Sequence, residues 1–317
     1  MVFYLGAIAR NISEKFMNFQ LFAGEFLQEF PDARVFVYEN NSTDTTKYLL
    51  QLWSTMNSQV IVKCEDVTDS ELKNHCIARS MDNTPCRMEA IAYARNRLME
   101  MLEETDIGSR EEDRIIFFDP DVHSMMSAEP LIKILKDKQG MNDYDALFAN
   151  GISQRKNYYD ISAYYDMYYP FGLELLDEKI VFGEKYKAVI QQIPTTVPRI
   201  PVISAFGGIG IYRASCIRGL RYTGAVTQDV HSVFTNFCRQ FPAHPWVQHV
   251  KKKPTSHLNG ALLGVYLYDK EIFYKNNSGY NYPVICEHVS FHCSMICRGY
   301  SRLFVEPSLL YYSDHWE

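Results

Sequence analysis

The amino-acid sequence predicts an α/β protein built on a doubly wound parallel sheet, and three observations carry that reading. Val2–Ile8, Ala33–Tyr38 and Val60–Val62 are short apolar runs with the look of strands buried on both faces. The stretches between them have helical spacing, giving the order β-α-β-α-β that forms parallel sheets. Further on, Arg114-Ile-Ile-Phe-Phe-Asp-Pro-Asp121 is another buried strand, and it runs straight into two carboxylates.

Each element has its own justification. Val2–Ile8 ends in the polar turn Ala9-Arg10-Asn11. From Asn18 to Phe30, the residues Phe19, Phe22, Phe26 and Phe30 recur on one helical stripe. After Ala33–Tyr38 comes Glu39-Asn-Asn-Ser-Thr-Asp44, where Ser42 or Asp44 is placed to cap a helix carrying Tyr48, Leu49 and Leu52. Residues 64–83 read as an irregular polar connection. Thr84-Pro85 is expected to open a long helix with proline at its first position. On that helix Ile91, Arg95, Leu98 and Leu102 share a stripe. An arginine there either snorkels at the rim or reaches a buried anion.

The strand at 115–118 is expected to stop at Pro120, which cannot donate to a ladder. Residues two apart on extended backbone point the same way, so Asp119 and Asp121 are expected to aim into one cleft at the strand's carboxyl end, where open α/β sheets bind ligands. Two hard oxygen donors suit Mn²⁺ or Mg²⁺ bridging to a diphosphate. A second pair, Asp143 and Asp145, precedes its apolar run and is expected to be capped or solvated.

Beyond this strand the sequence predicts a short helix over Leu131–Lys138 and a strand over Tyr144–Ala149. Residues 154–169 hold six tyrosines, either a packed aromatic lobe or a hydrogen-bonding acceptor surface. Gly207 and Gly208 permit close backbone approach to a ligand. Residues 224–283, with Pro242, Pro245, Pro254 and a Lys251–Lys253 run, read as an insertion. Cys286-Glu287-His288 opens a helix to about Cys297, and 303–305 and 309–312 are extended. His288 and His292 lie four apart, but Val289 replaces the Glu that a zinc-protease helix needs, so a zinc pair is not expected.

The 317 residues are 47% hydrophobic and 22% charged, ordinary for a globular chain, and they fit one large α/β domain with extra elements. A net charge of −6 argues against a nucleic-acid partner bound through a broad basic face. Eight cysteines without paired zinc-ribbon spacing are expected to be reduced and mostly buried. No apolar run is long enough to span a membrane and no signal peptide is evident, so the expectation is a cytoplasmic chain without a transmembrane span.

Taken together, these pieces resemble a GT-A fold glycosyltransferase over most of the chain except 64–83 and 224–283. The resemblance rests on Ala7 and Arg10, on Tyr38-Glu39-Asn-Asn-Ser-Thr-Asp44, and on Ala94-Arg95-Asn96-Arg97 before Phe117-Phe-Asp-Pro-Asp121. Gly207-Gly208, Cys286-Glu287-His288 to His292, Arg298-Gly-Tyr300 and His315 complete it. More narrowly, the motif order is similar to the fungal capsule-associated α-1,3-mannosyltransferases.

The broad resemblance implies a mixed Rossmann-like sheet flanked by helices in a single domain over 1–317. A nucleotide-binding half would lie in 1–123 and an acceptor half in 124–317. It implies transfer of a hexose from GDP-mannose or a UDP-sugar to a hydroxyl of a glycan or glycoconjugate. Ala7, Arg10, Glu39, Arg95, Asp119, Gly207 and Gly208 would bind the nucleotide sugar. Asp119, Asp121 and His315 would hold Mn²⁺ or Mg²⁺, with His292 in reserve. His288 stands where many inverting members carry the base Asp, which leaves Glu287 and His288 as catalytic candidates. If configuration is retained, Glu287 instead orients donor or acceptor. Two other readings compete: a haloacid-dehalogenase-like phosphatase, which also uses Asp-x-Asp after an apolar strand, and a catalytically inactive carbohydrate-binding relative.

Overall fold

A computed structural model describes residues 1–80, 82–105, 110–121, 123, 126–137, 140–171, 192–252, 265–268, 272–275 and 282–313. Its main sheet contains strands β1 (Phe3–Ala9), β2 (Arg34–Asn40), β3 (Val60–Glu65), β4 (Arg114–Phe118), β5 (Ala146–Ile152), β6 (Ile200–Pro201), β7 (Ile209–Arg213) and β10 (Leu303–Tyr312). A separate hairpin pairs β8 (Val265–Tyr268) with β9 (Ile272–Lys275). The main sheet has the order β3-β2-β1-β4-β7-β5-β10-β6. Its first four strands are parallel, as the β-α-β-α-β order requires. The fifth position departs from that pattern, because β7 runs antiparallel to both β4 and β5. The sheet is therefore mixed, as the family resemblance implies, and not parallel throughout.

Alternation along β2 shows how the layers form. Val35 and Val37 belong to the core beneath α1 (Phe16–Glu29) and α2 (Thr46–Met56). Phe36 and Tyr38 belong to the opposite core, beneath α4 (Arg87–Glu103). The phenylalanine stripe of α1 is fully buried at Phe19, Phe22 and Phe26, each worth on the order of 2 kcal/mol. Phe22 stacks on Phe118 at 4.2 Å, which packs α1 against the last residue of β4.

Several boundaries differ from expectation for identifiable reasons. The connection after β3 contains α3 (Asp69–His75), nucleated by a capping box between Thr68 and Glu71. Neither Thr84 nor Pro85 opens α4. Pro85 bridges to Arg79, and the Cys86 thiol caps the helix by accepting the Glu89 N–H. Helix α5 spans Glu129–Lys136. Asp145 is neither solvated nor a helix cap. It is 4% exposed and accepts from the Arg302 guanidinium at 2.8 Å. Strand β10 continues through Pro307 with a register shift between Glu306 and Leu310.

Where residues 224–283 are described, they include α7 (Gln228–Gln240) and α8 (Pro245–Lys252), which follow the short α6 (Ala214–Ile217). Helix α7 sends Val230, Phe234 and Phe237 into the principal core and packs along α9 (Glu287–Cys297). The tyrosine-rich segment lies partly in the core. Tyr158, Tyr164 and Tyr165 are buried, whereas Tyr168 is 77% exposed. None of the eight cysteines forms a disulfide, and six are buried.

Candidate active site

Strand β4 delivers Asp119 to the carboxyl end of the sheet. The Asp119 N–H donates to the Gly208 carbonyl at 2.9 Å, extending the β4–β7 ladder by one residue. The buried Tyr311 hydroxyl donates to the carbonyls of Asp119 and Asp121, at 3.1 and 3.4 Å. The His123 N–H reaches the Tyr312 carbonyl. The Asp-Pro-Asp turn is thus fastened to β10.

The Asp119 carboxylate receives the Tyr159 hydroxyl at 3.3 Å and faces Arg95 Nη2 at 3.6 Å. Burial lifts its pKa to about 6; Arg95 opposes the lift, and the Asp121 and Glu287 charges add to it. The two carboxylates of the motif therefore sit close enough to repel each other.

Arg95 decides between the two alternatives open for it. It is 6% exposed, and its Nε donates to Glu287 Oε1 at 3.0 Å. It reaches buried anions, and those anions are the protein's own carboxylates. Its guanidinium lies 5.0 Å from the Phe206 ring centre and 5.7 Å from that of Tyr222. Glu287 opens α9, where the positive end of the helix favours a carboxylate. Its second oxygen accepts from the Cys286 thiol at 3.7 Å. One buried arginine thus ties α4, β4 and α9 together.

The two histidines of α9 are interior groups. His288 is 1% exposed and stacked on Phe206 at 4.0 Å, and neither ring nitrogen has a hydrogen-bond partner. Burial, then the Arg95 charge, holds its pKa well below the ordinary value. An imidazole that resists protonation this strongly makes a poor general base. His292 is fully buried between the Ser204 and Tyr212 hydroxyls, each 2.8 Å from a ring nitrogen. Burial lowers its pKa to about 3. With both nitrogens engaged it is unavailable as the reserve metal ligand, which corrects that expectation. His315 lies outside the described residues. Among the described residues no group of three or more His, Cys, Asp or Glu converges on a metal position.

The nucleotide-side candidates gather at the ends of β1 and β2. Glu39 is fully buried; its Oε1 accepts the Ser42 N–H at 2.8 Å, and its Oε2 receives no hydrogen bond. The loops after β1 and β2 are laced together. Asn11 accepts from Thr43 N–H, and Asp44 accepts from Ser13 N–H. Arg10 is exposed on this rim, whereas the Ala7 side chain belongs to the α1–α2 core.

Gly207 and Gly208 have φ of +61° and +91°. A Cβ at Gly207 would strike the Ala149 carbonyl, and one at Gly208 would strike the Tyr311 ring. Close packing of the chain on itself is enough to require glycine at both positions. Tyr159 and Tyr311 were not singled out from sequence. The tyrosine-rich composition is the only signal that pointed toward them.

The model of the family described as cryptococcal mannosyltransferase 1 matches residues 25–241. No curated protein matches the chain. Among solved structures, TarS 1–349 of S. aureus in complex with UDP-GlcNAc aligns with all of this chain and 59% of its own, at 11% identity and a TM-score of 0.45. The Pyrobaculum calidifontis mannosyltransferase PcManGT, in complex with GDP-Man and Mn²⁺, aligns with 75% of this chain and 52% of its own, at 12% identity and 0.38. Glucosyl-3-phosphoglycerate synthase of Mycobacterium tuberculosis aligns with 75% of this chain and 66% of its own, at 12% identity and 0.36. The chain spans about 60% of the length of the TarS 1–349 structures it matches. Likeness this distant assigns no residue a role.

Proposed function

The chain belongs to the family described as cryptococcal mannosyltransferase 1, and from that premise we propose that it transfers a hexose from GDP-mannose or a UDP-sugar to a hydroxyl of a glycan. The observation that carries this reading is the pair of carboxylates, Asp119 and Asp121, at the exit of β4. Their mutual repulsion and the raised Asp119 pKa suit a site completed by a divalent cation. Asp119 and Asp121 would hold Mn²⁺ or Mg²⁺, with His315 as third ligand. When bound, that ion supplies Lewis-acid stabilisation of the departing nucleoside diphosphate.

The chain's own residues do the rest. The nucleotide lies across the ends of β1 and β2, in the 1–123 half, and the acceptor enters from the 124–317 half. Glu39 Oε2, buried without a donor, fits a ribose hydroxyl or a base N–H. Arg10 on the exposed rim faces the phosphates. Arg95 holds the Asp119 and Glu287 carboxylates in place. Glu287, with one oxygen on Arg95 and the other on Cys286, orients the reacting groups and does not serve as the proton acceptor. His288 shields that ion pair from water. This division of labour favours retention of configuration.

The test is Asp121→Ala, assayed for Mn²⁺-dependent hydrolysis and transfer of GDP-mannose and UDP-sugars with circular dichroism as the fold control. Activity is expected to disappear while the spectrum is unchanged. Full activity of the variant in chelator would refute the assignment. Wild-type chain without any nucleotide-sugar hydrolysis would favour the inactive carbohydrate-binding reading, and turnover of an aryl phosphate would favour the phosphatase.

A further inference from the structure

On the side of α4 turned from Arg95, a cleft of about 360 Å³ opens between this helix, the end of α3 and residues 221–223. Its volume falls within the ~300–1,000 Å³ of small-molecule sites. None of the residues assigned above to donor or metal lines it. One wall is aromatic, where Tyr93 carries the His75 ring at 5.4 Å. The facing wall is built in advance. The Asn96 amide donates to the Tyr222 carbonyl at 2.9 Å and accepts the Tyr222 N–H at 2.7 Å. Glu89, 3% exposed, accepts from the Thr223 hydroxyl and from the N–H groups of Ile77 and Ala78, each at 3.2 Å.

The charges of the lining identify its ligand. Apart from His75, two arginines (Arg97 and Arg221) stand against two glutamates (Glu89 and Glu100), so the formal charge is zero. Arg97 is also engaged by Glu65, and Arg221 by Glu103. A phosphate would find no surplus cation here, and among the described residues no three His, Cys, Asp or Glu side chains converge on a metal position. Ring faces surrounded by forked donors and carboxylate acceptors match a neutral molecule rich in hydroxyls, with C–H faces for Tyr93 and O–H groups for the rim.

We propose that this cleft is a second carbohydrate site, taking one or two residues of a neutral glycan away from the point of transfer. That the glycan is the acceptor rests on the transferase reading above. Tyr222 gives the cleft its relevance. It lines the cleft, while its ring stands 5.7 Å from the Arg95 guanidinium carbon and edge-on to His288 at 5.7 Å. The cleft and the buried ion pair are therefore back to back, one ring apart.

Saturation-transfer NMR and calorimetric titration of the whole chain with α-1,3-mannobiose test this directly. Wild type is expected to bind the disaccharide. Tyr93→Ala is expected to weaken it at least about fivefold. Ile77→Trp, which places a bulky ring on the 53%-exposed rim residue, is expected to abolish it. Both variants should keep the thermal stabilisation given by GDP-mannose or a UDP-sugar with Mn²⁺. If Tyr93→Ala fails to fold, the rim variant alone decides. Undiminished binding by Ile77→Trp, or none by wild type at about 20 mM, would overturn the proposal. Mannobiose bound without any response to nucleotide sugars and Mn²⁺ would sink the transferase reading and leave the second site standing.

Discussion

Asp119 governs how this protein should respond to pH. Its carboxyl goes from an ordinary 3.8 to about 6, with burial as the largest cause. A carboxyl whose folded pKa exceeds its unfolded one favours the fold while protonated. That contribution is whole below an unfolded pKa of about 4 and is lost as pH rises through about 6. At ~1.4 kcal/mol per tenfold, the difference is on the order of 3 kcal/mol. Asp119→Asn cannot ionise, so in metal-free urea titrations at about pH 7.5 it is expected to be more stable than wild type by up to that amount, with no advantage near pH 4. Equal stability at both pH values would show that the carboxylate carries no such burden. The place of Asp119 was legible because an apolar run ending in Asp-Pro-Asp is a local pattern. Its connection to Glu287 was not, since Arg95 and Glu287 are 192 positions apart and no spacing rule joins them. The engagement of His292, named as a reserve metal ligand, was hidden in the same way, because Ser204 and Tyr212 come from distant sequence to occupy both nitrogens.

At the scale of elements, two contacts hold the site's geometry. Gly208 lies at positive φ under the Tyr311 ring, so Gly208→Ala must shift β10 where it holds the Asp-Pro-Asp carbonyls. A loss of about 3 kcal/mol is expected, read as a lower urea midpoint. An unchanged midpoint would mean that the ring moves aside freely. Arg95 binds α4 to α9, and Arg95→Met leaves Glu287 buried without its counter-charge. Such breaks cost about 3–5 kcal/mol, and the Arg95→Met/Glu287→Met double variant is expected to lose much less than the sum of the two singles. Additive losses would show the pair to be uncoupled. Element boundaries were legible in proportion to their local chemistry. The Thr68–Glu71 capping box was present in the sequence and passed over as an irregular connection. The Cys86 cap of α4 was hidden, because Thr84-Pro85 is the more familiar opening and only the bridge from Pro85 to Arg79 removes it.

For the molecule as a whole, a ligand that binds only the folded state raises its stability by about 2.7 kcal/mol at a hundredfold excess over Kd. In a chain of this length that amounts to a melting shift of about 4 °C. Mn²⁺ with the correct nucleotide sugar is expected to give such a shift, and Asp121→Ala to give none. A shift of equal size in the variant would remove Asp121 from the metal site. The β1–β3 part of the sheet was legible because each of these strands pairs with the next across one helix. The antiparallel β7 was not, because its direction is set by neighbours β4 and β5 and by no pattern of its own.

The Arg95–Glu287 link has a further consequence for how the protein is made. A ribosome releases Arg95 and Asp119 long before Glu287, so the growing chain carries a cation meant for burial whose main counter-ion has not yet been translated. Until that late helix arrives, the early half can form its strands but cannot dehydrate its centre, and a nascent chain stalled short of Glu287 should remain open to protease at α4.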